Sequence, residues 1–110
     1  MNALRNKVQL IGRLGQDPEI INFEDGNKIA KFSLATDDSY KDKSGKKVER
    51  TDWHNIVVRG GLVKIVEDYT EKGKEIAIEG KLTTRSWEDK EGNKRYITEV
   101  VCNELLLLGK

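Results

Sequence analysis

The chain has 110 residues, 36% of them hydrophobic and 35% charged, with 20 Lys or Arg against 19 Asp or Glu for a net charge of +1. That suits one domain, residues 1–110, with a limited core and a heavily solvated surface, and leaves no charge excess to advertise a partner. The longest apolar run, residues 105–108, is far too short to span a membrane, the opening MNALRNKVQL lacks the apolar stretch of a signal peptide, and a lone Cys102 with a lone His54 makes neither a disulfide nor a Cys/His zinc site. The expectation is a cytoplasmic protein with no membrane partner, no metal and no cofactor.

Residues 7–15, KVQLIGRLG, alternate Val8, Leu10, Gly12 and Leu14 against Lys7, Gln9, Ile11 and Arg13, the period of a strand with one buried face. Gly12 and Gly15 spell a GxxG, but a bend or a close backbone approach explains them better than a phosphate loop does. Asp17-Pro18 marks a turn, and the next two apolar segments flank Asp25-Gly26, a dipeptide that tolerates positive φ and favours a tight hairpin. In the second segment Ala30, Phe32, Leu34 and Thr36 share a face.

Residues 40–50, YKDKSGKKVER, set Lys41, Lys43, Lys46, Lys47 and Arg50 against Asp42 and Glu49. Two readings stay open there, a mobile basic loop and a solvated hairpin tip whose charge resists edge pairing. TDWHNIVVRGG, residues 51–61, is again a strand, ended by Gly60-Gly61. The period then changes: Leu62, Ile65, Val66 and Tyr69 fall on one helical stripe and predict a short helix of three turns with Gly73 as its stop. Alternation returns in KEIAIEGKLTTRSW, with Ile76, Ile78, Gly80 and Leu82 on one side and Glu79, Lys81, Thr83, Arg85 and Trp87 on the other. EDKEGNK is a hairpin tip, and RYITEVVCNELLLL is the closing strand.

Three strand regions, one short helix and two more strand regions are the layout of an all-β, five-stranded Greek-key barrel, the OB-fold, with its helix between strands 3 and 4. A five-stranded SH3-like barrel is the structural rival, and a full helix at that position favours the OB-fold.

The chain offers little to catalysis. His54 lies inside a strand pattern with no nucleophile motif nearby, and a buried or interface histidine is the better reading. The acidic pairs Asp37-Asp38, Glu67-Asp68 and Glu88-Asp89 fall in a loop, on a helix face and near a hairpin tip, where nothing converges them into a metal clamp. The aromatics are more informative. Phe32 and Tyr69 fall on core-facing stripes and Phe23 and Tyr96 are ambiguous, whereas Trp53, Trp87 and Tyr40 do not fit the core. Trp53 is in step with Asn55, Val57 and Arg59, opposite His54, Ile56 and Val58, and Trp87 is in step with Arg85, Thr83 and Lys81. Rings on cationic faces suit single-stranded nucleic acid, since every base has a π-face to stack on and each stacked base contributes on the order of 1–3 kcal/mol. Capping of barrel ends or packing at a subunit interface is the equally open structural reading.

NKVQLIGRLGQDPEI (residues 6–20), TDWHNIVVRGGL (51–62), EKGKEIAIEGKLTTRSW (71–87) and RYITEVV (95–101) resemble, in order and spacing, the bacterial single-stranded DNA-binding protein family. The resemblance covers nearly the whole chain. It implies an OB-fold that assembles as a homotetramer and wraps single-stranded DNA without sequence preference. It assigns base stacking to Trp53 and Trp87, and to Tyr40 at a position that is usually tryptophan in this family. Cations that contact the DNA backbone fall at Lys7, Lys43, Lys72, Arg85 and Arg95, and Arg13 on the outward face of the first strand joins them. His54 matches a subunit-interface histidine.

Two departures stand out. Arg59 occupies a position where many members stack a phenylalanine, and its guanidinium plane can stack on a base and also pair with phosphate. Members usually continue through a flexible linker to a short acidic tip that recruits repair and replication proteins, whereas this chain stops at Lys110 without one. It reads as a naturally short member or as a core trimmed from a longer chain.

The expected function is therefore sequence-independent binding and protection of single-stranded DNA in replication, recombination and repair, in the cytoplasm and with the nucleoid, and with no reaction catalysed. The alternatives are a primosomal-type OB-fold adaptor, dimeric where a tetramer is expected, a protein-interaction module built on the exposed aromatics, and a Mg²⁺-dependent nuclease.

Overall fold

The computed structural model describes residues 3–109, so both ends of the expected 1–110 domain lie outside the described residues. A 3-10 turn at Ala3–Arg5 leads into strands β1 (Val8–Leu14), β2 (Glu19–Asn22), β3 (Lys28–Asp37), β4 (Tyr40–Lys41), β5 (Lys47–Val48) and β6 (Thr51–Arg59). Helix α1 (Leu62–Tyr69) and strands β7 (Glu75–Glu88) and β8 (Lys94–Leu107) complete the chain. The five long strands pair in the ring β1-β7-β8-β6-β3, which closes where β1 meets β3 at Arg13↔Ala35 and Leu14↔Leu34. Only β6 and β8 pair in parallel among the described strands of this sheet. This is the expected five-stranded Greek-key barrel, with two short additions: β2 on the edge of β3 and the separate β4–β5 hairpin.

Alternation builds the barrel. Inward residues Leu14, Ala30, Phe32, Leu34, Ile56 and Val58 are buried together with Ile76, Ile78, Val100 and Cys102. Closure depends on two glycines with no Cβ: one built at Gly12 would overlap the Ala35 carbonyl, and one at Gly80 would overlap the Val101 carbonyl. The GxxG is thus a bent strand at a close backbone approach. At Gly80 the β7–β8 register also slips, from Glu79↔Glu104 to Gly80↔Cys102, so Asn103 is an extra residue on β8. Beyond this bulge the two strands leave the barrel as a ribbon that pairs Thr83↔Glu99 through Glu88↔Lys94. Leu82, expected on the core face, is accordingly exposed.

The helix differs from its expectation in length, rotation and stop. It has 8 residues, little more than two turns, and buries Val63 and Val66 against β3, β6 and β8. At about 100° per residue, that face lies roughly a quarter turn from the predicted stripe, so Leu62 and Ile65 are half-buried and Tyr69 is 64% exposed. The barrel mouth accepts two valines one turn apart and leaves the ring outside. The helix stops at Thr70, in extended conformation, whose hydroxyl donates to the Val66 carbonyl at 2.6 Å. Gly73 instead serves the following turn, at φ +89°, where its amide donates to the Leu14 carbonyl at 2.8 Å.

The basic segment is a hairpin rather than a loop. Tyr40 pairs with Val48 and Lys41 with Lys47, and Asp42 closes the tip by accepting from the Ser44 and Lys46 amides at 2.9 Å. No helix among the described residues is long and apolar enough to cross a membrane.

Candidate nucleic-acid interface

β6 pairs with β3 on one edge and β8 on the other, and β8 in turn pairs with β7, so four strands share one outward surface. Because side chains alternate, β6 directs Trp53, Asn55, Val57 and Arg59 to that side and His54, Ile56 and Val58 inward, although Val57 is itself buried, at 4% exposed, under its neighbours on that side. Trp53 and Arg59 stand six residues apart, about 20 Å along the strand. Trp53 is 61% exposed and its ring covers Gly15: a Cβ there would overlap the ring and come within 2.9 Å of Ser33 Oγ.

Two neighbouring recesses of about 320 and 350 Å³ furrow the surface between these ends. The first is lined by Ser33, Asn55 and Ile97, the second by Val57, Arg59, Lys81 and Val101, and Lys31, Arg85 and Glu99 line both. The lining mixes apolar and polar side chains and sets four cations, Lys31, Arg59, Lys81 and Arg85, against the carboxylates of Glu19 and Glu99, a groove that can take a polyanion carrying flat rings.

Arg85 is the best-positioned cation. Its Nε donates to Glu99 Oε1 at 2.9 Å, and its guanidinium lies 5.7 Å from the centre of the Trp87 ring. Glu99 is only 7% exposed and, among the described residues, takes its charge partner from this one arginine, a contact that raises the arginine further above its ordinary value. Trp87 itself is 45% exposed on the ribbon.

The other expected site residues lie on other elements. Lys7 pairs with Glu79 at 3.1 Å on the β1–β7 side of the barrel. Arg13 donates to the Gly73 carbonyl at 2.9 Å, and the Lys72 amide donates to Asp17 Oδ1 at 2.9 Å, which places both at the turn after α1. Tyr40 and Lys43 belong to the β4–β5 hairpin, and Arg95 is bonded to Asp89 at 3.0 Å near the ribbon tip. His54 is half-buried and lies 3.0 Å from Thr36 Oγ1 through its Nε2.

The groove adds two cations to the expected set, Lys31 and Lys81. Lys81 is in step with Arg85 and Trp87, a signal present in the alternation. Lys31 lies between the core residues Ala30 and Phe32, and the same alternation turns it outward. Glu99 carried no such signal, since only folding shows that this carboxylate sits at the centre of the groove.

A profile of the Single-strand binding protein family matches residues 5–108. Curated relatives include a single-stranded DNA-binding protein 1 of Xylella fastidiosa (strain 9a5c), 51% identical over 98% of this chain and 80% of the relative. A protein of the same description from Chlorobaculum tepidum is 50% identical over 94% of this chain and 65% of the relative. A single-stranded DNA-binding protein of Rhizobium meliloti (strain 1021) is 51% identical over 87% of this chain and 56% of its own length. The chain thus spans between just over half and four fifths of the length of these relatives. Among solved structures, a Plasmodium falciparum SSB complex with ssDNA has a TM-score of 0.87 at 35% identity, covering 94% of this chain and 95% of that one. With the match running through every strand of the barrel, the chain belongs to the Single-strand binding protein family.

Proposed function

We propose that this protein binds single-stranded DNA without sequence preference and protects it during replication, recombination and repair. It acts as one OB-fold domain, assembled as a homotetramer in the cytoplasm and with the nucleoid, and catalyses no reaction. The observation that carries this reading is the groove lined by Lys31, Arg59, Lys81 and Arg85, with the exposed rings of Trp53 and Trp87 two residues along their strands from the lining residues Asn55 and Arg85. The names of its relatives support it, as does the complex of the structural neighbour.

The mechanism follows from the side chains. Bases stack on the exposed rings of Trp53 and Trp87, and on Tyr40 where the strand reaches the β4–β5 hairpin. Arg59 stacks through its guanidinium plane or pairs with a phosphate. Arg85, Lys31 and Lys81 neutralise backbone charge inside the groove, and Lys7, Arg13, Lys43, Lys72 and Arg95 extend that role around the barrel. His54, held by Thr36 at the barrel rim, contributes to subunit contacts. Stacking reads the π-face common to all bases, which is why sequence preference is weak and duplex, whose bases are already stacked, is a poor ligand.

The test is a fluorescence titration. Oligo(dT) quenches the tryptophans, while a duplex of equal length does so far more weakly; equal quenching by both would sink the reading. Raised salt weakens binding by counterion release and leaves the stacking contribution behind.

A further inference from the structure

We infer that Phe23 and Arg59 form a further nucleobase subsite, which carries the strand past the barrel wall to the β2–β3 turn; the inference rests on the single-strand reading above. Phe23 follows β2 and is 48% exposed, whereas the chain's other phenylalanine, Phe32, is in the core. An ordered turn presents the ring. The Phe23 amide donates to the Asn27 carbonyl at 2.8 Å, and the Gly26 amide donates to the Phe23 carbonyl at 3.0 Å, with Gly26 at φ +90°. Asp25 braces the turn by accepting from the Asn27 amide at 3.1 Å and from its Nδ2 at 2.9 Å.

The ring borders a recess of about 380 Å³ that it shares with Lys28, Ile29 and Arg59. That size lies at the lower end of the roughly 300–1,000 Å³ of small-molecule pockets. Ile29 and Arg59 are paired across β3 and β6, and both also line the groove recess that contains Lys81 and Arg85. The Phe23 recess is therefore a continuation of the groove, with Arg59 standing between the two. A π-face on one wall, a guanidinium plane on another and an apolar side chain between them suit a planar base. Lys28 supplies a cation for the adjoining phosphate, and its present partner, Glu67 at 3.8 Å, is an exposed pair that a phosphate displaces readily. Phe23 thus provides, from the neighbouring turn, the aromatic surface that position 59 lacks.

The experiment compares oligo(dT) titrations of the full chain with those of Phe23→Ala, Phe23→Leu and Trp53→Ala. Phe23→Ala weakens binding by about five- to 150-fold, the range of one stacked base. Phe23→Leu keeps the apolar bulk but recovers only a minor part of that loss, and neither variant shifts the thermal midpoint. In addition, oligo(dT) carrying 5-iodouracil photocrosslinks to the tryptic peptide of residues 14–28 in the unmutated protein. Unchanged affinity for Phe23→Ala, or no crosslink to that peptide, overturns the subsite. If Trp53→Ala is weakened while Phe23→Ala is not, the single-strand reading stands and the subsite alone falls. If the unmutated protein fails to bind oligo(dT), both fall.

Discussion

The two tryptophans of the groove sit in regions built by different means. Trp53 stands on the barrel wall, on a strand paired with β3 along its whole length and with β8 at residues 56–58, with its ring laid over Gly15 and the side chains of Ile56 and Val58 buried beneath the strand. Trp87 stands on the two-stranded ribbon beyond the Gly80 bulge, where most side chains are exposed on both faces. There the order comes from cross-strand pairs: Arg85 to Glu99, Thr84 to Thr98 at 3.1 Å, and the Asp89 turn that also holds Arg95. The hydrophobic core thus positions one platform and polar contacts position the other. Steric substitutions should therefore damage the wall, and charge or acid should loosen the ribbon.

The largest expected effect follows from that difference. Gly12→Val places a branched side chain against the Ala35 carbonyl at the seam where the barrel closes, and urea unfolding should show a loss of about 3 kcal/mol or more. Gly92→Ala, at φ +84° in the ribbon turn with open space around it, should cost only about 1–2 kcal/mol. Equal losses would erase the distinction between wall and ribbon.

Next in size are the platforms. Trp53→Ala and Trp87→Ala should each weaken oligo(dT) binding by about 1–3 kcal/mol per stacked base, the range general to OB-folds of this kind, with little change in thermal midpoint because both rings are exposed. Calorimetry of both variants checks this, and a large drop in midpoint for Trp53→Ala would return that ring to a structural role.

Arg85 and Glu99 sharpen the comparison further. Arg85→Ala leaves the Glu99 carboxylate buried without its partner, so thermal unfolding should shift to lower temperature, and Arg85→Ala combined with Glu99→Ala should recover much of the shift. Glu99→Gln removes a negative charge from beside the phosphate that Arg85 contacts. It should tighten oligo(dT) binding, most visibly at low salt, where the repulsion between carboxylate and phosphate is least screened.

The smallest effect is one of pH. Asp89 is held below its ordinary value of 3.8, chiefly by the Asn93 amide and also by Arg95, and Asp42 is held below it chiefly by the Ser44 hydroxyl. A carboxylate depressed by folding stabilises the folded turn fully above its unfolded value and loses that contribution as pH falls through the lower folded value. Both hairpin tips should therefore be unchanged between pH 8 and 5 and should loosen only below about 3.8, which amide exchange at residues 44–46 and 91–93 would report. Loosening near neutral pH would contradict the assignment.

Most of the wall was legible in the sequence because period-two alternation reports directly which side chains a barrel buries. Residues 51–59 show both its reach and its limit: their strand bounds, the exposure of Trp53 and Arg59 and the burial of Ile56 and Val58 follow the pattern, whereas Val57, in step with Trp53, is buried by its neighbours on that side. Arg85 and Trp87 shared a face by the same rule. What stayed hidden depends on contacts between distant segments. The Gly80 bulge, which exposes Leu82 and starts the ribbon, is a matter of β7–β8 register. The meeting of Arg59 with Arg85 needs the strand order β6-β8-β7, and the burial of Glu99 needs its pairing across that ribbon. The rotation of the helix is not legible in its periodicity, because its apolar residues cover more than one face and the barrel mouth admits Val63 and Val66 and leaves Tyr69 in solvent.

The central claim is that wall and ribbon present one continuous binding surface, and two single-tryptophan variants test it most directly. Trp53→Phe leaves only Trp87 as a reporter and Trp87→Phe leaves only Trp53, because the chain contains two tryptophans. Titrated with the same oligo(dT), both variants should be quenched over the same concentration range as the unmutated protein, with a duplex of equal length producing little change. Quenching confined to one tryptophan, or quenching of the two over separate concentration ranges, would show that the ribbon and the barrel wall do not bind the strand as one surface.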